Sequence, residues 1–208
     1  NTPPSVLTPG VPAHVAFSYD GPRGDIAIYV NGVDVGGTVG GIDPVNNLGT
    51  TTADVSIGYP FPFDGVMDEF RIYDHARTAT EVAADAGGDT AMGTAPLVHY
   101  DFADGTATNL GSLGSASDGI LDNGLGGAAL AFDGSDDFVQ GDTAGIDFGN
   151  AFSIEFVVQT EMATTGYIMT IGDTFSGGVT ANNLLFANIP SAAGNLRIGQ
   201  YGVIDINS

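Results

Sequence analysis

The sequence predicts an all-β fold, a two-sheet antiparallel sandwich with one short helix near 78–87. Three observations carry this. Short runs of alternating apolar and polar residues fill the chain, separated by Gly, Asp, Asn and Pro. Only one stretch changes to a helical period. Hydrophobic residues make up 43% of the 208 residues, enough for a sizeable core. The 32 Gly and 10 Pro are scattered through turns, with neither a collagen period nor heptads.

Each element follows in order. "HVAFSYD", 14–20, places Val15, Phe17 and Tyr19 on one face. "DIAIYVNG", 25–32, places Ile26, Ile28 and Val30 on one face and ends in Asn31-Gly32, a dipeptide that favours a tight hairpin. "VDVGGTV" is the expected return strand, and "ADVSIGY", 53–59, and "GVMDEFRIYD", 65–74, are the next two. Thr78 and Glu81 then form a T-x-x-E capping box ahead of "EVAADA", and Gly87-Gly88 ends the helical run. Residues 87–95 are small and polar, with a linker placed at 91–95. Strands are expected in "LVHYDF", 97–102, "AALAFDG", 128–134, and "DFVQG", 137–141. Others are expected in "FSIEFVVQT", 152–160, "YIMTIGD", 167–173, "NNLLFANI", 182–189, and "NLRIGQYG", 195–202, about a dozen in all.

Charge narrows the function. Twenty-five acids, 21 of them Asp, face four arginines and no lysine, for a net charge of −21. Nothing here neutralises phosphates, so nucleic-acid binding is not expected, and an anionic membrane surface is disfavoured for the same reason. No membrane-spanning run, signal peptide or lipidation motif is visible. Cysteine is absent, which leaves out disulfides and thiol chemistry. "NTPPSVLTPG" reads as an internal start, as of a chain processed or cut from a longer protein.

Five stretches resemble motifs of the concanavalin A-like, laminin G-like jelly-roll family of bacterial surface proteins. "GTAPLVHYDFADGTATNLGSLGSASDGIL" resembles its opening, and "GGAALAFDGSDDFVQ" its G-x-A-L-x-F-D-G-x-x-D-x-V strand-turn-strand. "FSIEFVVQT" stands where the family has F-T-I-S-x-W-V, and "HVAFSYDGPRGDIAIYVNG" resembles its H-V-A-x-T-Y-D-G … L-Y-V-N-G hairpin. "FDGVMDEFRIYDHARTATEVAA" resembles its closing strand and helix. The order is rotated. Residues 96–208 resemble the first part of the roll and residues 1–90 the last. The expectation is one repeat's worth of laminin G-like jelly roll, closed within the chain or exchanged head-to-tail with neighbouring copies in a fibre.

The resemblance raises three chemical possibilities. Glucanases on this roll carry E-x-D-x-x-E on one strand. Here Glu155 and Glu161 are six apart with no acid between them, and Asp68 and Glu69 alternate across a strand, so no catalytic residue and no enzyme activity are expected. His14, His75 and His99 lack metal-ligand spacing; His14 and His99 read as outward-facing strand residues. Calcium is the expected cofactor. Asp68 alternates with Phe70 and Ile72, so it reads as inward-facing, and a buried carboxylate needs hydrogen bonds or a cation. The resemblance implies Asp68, Asp101 and the Asp133-Gly134 turn as ligands, with Asp137 in the same set and Asp136 beside it. Alternatively, Asp68 caps backbone N–H groups and the other acids build the turn. Glycan binding is the third possibility. The chain has no Trp, which weakens ring stacking, though Tyr29, Tyr59, Tyr167 and Tyr201 could serve.

The reading is a non-enzymatic structural or adhesive repeat of a secreted or cell-surface bacterial protein, stabilised by calcium. A lectin-like carbohydrate-binding module of a secreted adhesin or polysaccharide-degrading protein is the alternative. The expected partners are neighbouring copies or glycans.

Overall fold

A computed structural model describes residues 7–36, 38–40, 55–59, 62–88, 93–121, 129–141, 151–161, 166–171, 184–189, 195–200 and 204–207. Fifteen strands occur among them: β1 (Ala13–Asp20), β2 (Asp25–Val30), β3 (Val33–Asp34), β4 (Thr38–Gly40), β5 (Val55–Ile57), β6 (Asp64–Tyr73), β7 (Val98–Tyr100), β8 (Gly119–Leu121), β9 (Leu130–Asp133), β10 (Val139–Gly141), β11 (Ala151–Thr160), β12 (Gly166–Ile171), β13 (Leu184–Ile189), β14 (Asn195–Gln200) and β15 (Ile204–Asn207). The single α-helix, α1, spans Ala79–Ala86, and a 3-10 turn spans Gly114–Ser117.

The strands form two antiparallel sheets. Sheet I runs β3-β2-β1-β11-β6-β7, with β9 also on β6. Sheet II runs β4-β15-β14-β13-β12-β5-β10-β8. One core joins them. Val15, Phe17, Tyr19, Ile72, Ile154 and Phe156 from sheet I and Val55, Ile57, Val139 and Ile168 from sheet II are all fully buried in a single cluster. Each such side chain withdrawn from water contributes about 1.5–3 kcal/mol before entropy is counted.

Strands from both ends of the chain interleave. β11 lies between β1 and β6, pairing Phe17 with Ile154 and Ile72 with Ile154. In sheet II, β5 lies between β10 and β12. The single segment "FSIEFVVQT" thus occupies the centre of sheet I, buried on both faces over most of its length.

Three expectations need correction. "VDVGGTV" is not one return strand: β3 closes the hairpin on β2, while β4 joins β15 in the other sheet. Gly36 at its middle has φ +68, a left-handed conformation that lets the chain leave the first ladder. Ile204–Asn207, beyond the last strand expected at 195–202, forms strand β15, paired with both β14 and β4. Four residues of alternating pattern are too few for periodicity to register. Third, Asp68 does not share a face with Phe70 and Ile72. The β6–β11 register slips between Glu155 and Val157, a bulge, and Glu69 takes φ +52. The extra residue flips the alternation. Met67 is the core neighbour on one side of the bulge and Phe70 on the other, both fully buried. Asp68 is left half-buried.

Helix α1 follows the predicted capping box. Thr78 Oγ1 accepts from Glu81 N at 3.3 Å, and Glu81 Oε2 accepts from Thr78 N at 2.8 Å. The helix packs Val82 on Ala16 and Tyr29 of the outer face of sheet I. It also covers the β2–β3 turn. A Cβ on Gly32 would lie 2.9 Å from Ala83 Cα, and Gly32 has φ +76, so glycine is required twice over there.

Candidate metal centre

The proposed ligands fall at two places along β6. At one end, Asp64 of β6 pairs with Asp133 of β9; at the other, Phe70 pairs with Tyr100 of β7. β9 and β7 thus share one edge of β6, end to end, with Asp68 and Glu69 in the gap between them. Four residues of strand separate the two places, about 13 Å. The structure therefore does not gather Asp68, Asp101, Asp133, Gly134 and Asp137 into one shell.

Asp133, Asp136 and Asp137 do come together. One carboxylate oxygen from each lies within 4.8 Å of the others. Two oxygens on one calcium ion, each about 2.3–2.6 Å from it, can lie up to about 5 Å apart, so this spacing fits. The turn is built by its own acids. Asp137 Oδ2 accepts from Asp133 N, and Asp133 Oδ1 accepts from Ser135 N, both at 2.8 Å. Gly134 sits at φ +77 between them. Asp137 is buried, while Asp133 and Asp136 are exposed. The turn-building alternative is therefore realised in part, and it leaves the Asp133 and Asp136 carboxylates facing water.

In the β6 gap, Asp68 Oδ1 accepts from Glu69 N at 2.8 Å. Burial, with Glu69 and Asp101 as anionic neighbours, pushes the Asp68 carboxyl upward. Asp101 is also held locally, its Oδ1 accepting from Ala103 N at 3.2 Å. Asp68 and Asp101 are thus electrostatic neighbours. Glu69 is bonded by Arg71 and, at 2.8 Å, by His99 Nε2.

The aromatic candidates separate as well. Tyr29 is buried beneath α1. Tyr59 is half exposed, its ring 5.8 Å from that of Phe138, the residue after Asp137. Tyr167 is partly buried. Tyr201 and linker residues 91–92 lie outside the described residues.

Sequence reasoning missed a densely bonded, buried polar group. Arg77, with its side chain almost wholly buried, bonds Glu155 Oε1 through Nε at 3.1 Å and also bonds Asp85 Oδ2. His14 Nε2 donates to Glu155 Oε2 at 3.2 Å. Tyr73 donates its hydroxyl to Asp85 Oδ2 at 3.4 Å, and its ring lies 4.3 Å under the Arg77 guanidinium. Two serines hold the Arg77 backbone: Ser153 Oγ accepts from its N–H at 2.7 Å, and Ser18 Oγ donates to its carbonyl at 3.0 Å. His14 does face outward from β1, as its alternation indicates, yet it is buried because α1 lies over that face. His99 is partly exposed beside Glu69.

The comparisons bear on this geometry. Residues 1–83 match the family model described as the concanavalin A-like lectin/glucanases superfamily, of laminin G type. The similarity covers these 83 residues, under half of the chain. The match takes in β1 through β6 and the first half of α1, hence the Asn31-Gly32 hairpin, the bulged strand and the capping box. The β9–β10 turn lies outside the matched residues. No curated protein and no solved structure matches the chain. The mostly β, two-sheet antiparallel sandwich, with one α-helix among the described residues, is consistent with that similarity.

Proposed function

We propose that this protein is a non-enzymatic structural or adhesive module of an extracellular surface, stabilised by calcium at the β9–β10 turn. The observation that carries the reading is the convergence of Asp133, Asp136 and Asp137 at calcium-ligand spacing, in a chain with similarity to that superfamily and a strongly anionic surface. Asp68 and Asp101 form a separate acidic pair. Strand pairing within one chain supports residues 1–90 and 96–208 as the last and first parts of a single closed roll. Neighbouring copies would then associate as closed units. No helix among the described residues is long and apolar enough to cross a membrane.

The spacing of acids supports the absence of catalysis. Glu155, the one acid of the central strand β11, is fully buried and committed to Arg77 and His14 beneath α1. The test of the calcium reading is thermal unfolding with calcium and with chelator. Calcium at 100 times its Kd stabilises by about 2.7 kcal/mol, seen as a higher Tm. Asp136→Asn, which removes a ligand without touching the Asp133–Asp137 turn bond, loses most of that increment. An unchanged Tm in calcium, or an increment fully retained in the variant, overturns the assignment.

Glycan binding is the second reading, favoured by one observation. The exposed Tyr59 ring pairs with Phe138 directly beside the acidic turn, so a sugar could stack on the ring while its hydroxyls reach the bound ion. A glycan array scanned with calcium should then show hits that chelator and Tyr59→Ala both remove; a blank array eliminates this reading.

A further inference from the structure

We propose that α1 is fastened to sheet I by a carboxyl–carboxylate hydrogen bond between Asp85 and Glu155, so that the helix is held firmly in mild acid and loosens as the pH rises. The grounds are an imbalance of charge in a dry place. The Asp85 and Glu155 side chains are fully buried, and the cluster offers them one guanidinium, that of Arg77. The groups facing Asp85 are Arg77 from the preceding turn, Tyr73 and, at longer range, Arg71 from β6, and Glu155 from β11, which carries His14 of β1 on its far oxygen.

The bonding decides where the proton sits. Both Glu155 oxygens already accept, one from Arg77 and one from His14. Asp85 Oδ2 accepts from Arg77 and Tyr73, while its Oδ1 is buried without a donor. Asp85 and Glu155 are electrostatic neighbours that can bond each other directly. Two carboxyl groups can do so only if one carries a proton. Glu155 is the better-solvated anion within the protein, so the proton belongs on Asp85 Oδ1. The electrostatics agree. Burial, then the Glu155 charge, push Asp85 up to about 6 against the pull of Arg77. Burial would raise Glu155 too, but the His14 bond and the Arg77 charge prevail and hold it below its ordinary value.

The sign follows from linkage. With the helix detached, Asp85 ionises at its ordinary value near 4; docked, it ionises near 6. The docked state binds the extra proton, so anchoring is strongest near pH 4, weakens through the interval to about 6, and is level above that. Glu155 has the opposite sign and weakens the anchor only when the pH falls further, through its own depressed value. Loosening α1 uncovers Ala16 and Tyr29 beneath Val82, which alters the outer face of sheet I.

Hydrogen exchange on the whole chain tests this. Protection factors of the α1 amides from Val82 to Ala86 should fall on the order of tenfold between pH 4.5 and 6.5 and then level off, since one linked proton gives at most tenfold per pH unit. In Asp85→Asn, which keeps a neutral hydrogen-bonding group, the fall should disappear. Equal α1 protection at the two pH values in the unmodified protein, or a fall that persists in the variant, overturns the proposal. A carbon-13 titration of the Asp85 carboxyl in the unmodified protein needs no variant; a midpoint near 6 supports the assignment and one near 4 overturns it.

Discussion

Arg77 shows how much one residue can organise. Its backbone is latched to β1 and β11 by Ser18 and Ser153, and its side chain stacks on Tyr73 and pairs with Glu155 and Asp85. Buried ion pairs add little net stability when intact, because desolvation offsets attraction. Removing one partner is another matter, since the remaining charge is stranded. Arg77→Ala should therefore destabilise by about 3–5 kcal/mol, measured by urea unfolding. A cost under about 1 kcal/mol would mean that water enters and solvates the carboxylates. Little of this cluster is legible in sequence. Glu155 lies 78 residues along the chain from Arg77, and an isolated charge in a loop, a helix or a strand reads as solvated. Only the alternation of Glu155 with Phe152, Ile154 and Phe156 hinted that it faces away from the core. That alone cannot tell an open face from one covered by a helix. Asp68 was misread for a related reason, because strict alternation fails once a bulge adds a residue, and Glu69 carries no signal for positive φ.

At the scale of elements, the turn chemistry was the most legible part. The Asn31-Gly32 hairpin and the Thr78–Glu81 capping box are both present, because each is a local motif whose partners lie within four residues. The box fixes where α1 starts, and therefore which face carries Val82 and Asp85. Thr78→Ala should cost about 1 kcal/mol by chemical denaturation and lower α1 protection before that of β11. If β11 amides lose protection equally, the helix does not open on its own. The acidic turn was half legible. Gly134 and its flanking Asp residues signalled a turn, while the separation from Asp68 depends on which strand ends meet on β6. Two short strands, β9 and β7, share that edge, and no local pattern specifies such an end-to-end arrangement. The strand β15 was missed because short strands of mixed residues look like loop.

At the scale of the whole molecule, the five motifs carried the fold class and their rotated order. The two sheets, the single helix and the superfamily match of residues 1–83 agree with that class. What the motifs left open was whether strands from the two parts meet within one chain or between chains, since apolar strand faces have the same complement either way. The structure pairs β1, β11 and β6 in a single chain, and that pairing underlies the proposed closed roll. It also places the acidic turn, the exposed Tyr59 ring and the buried clamp on one unit. The most direct test is an isotope-filtered NOE measurement on a 1:1 mixture of carbon-13-labelled and unlabelled chains, folded together from denaturant. The closed roll predicts that NOEs between Val15 and Phe156, which face each other across β1 and β11, appear within labelled chains and vanish from the filtered, between-chain spectrum. Strong between-chain NOEs for this pair would contradict it and show that neighbouring copies complete one another's sheets.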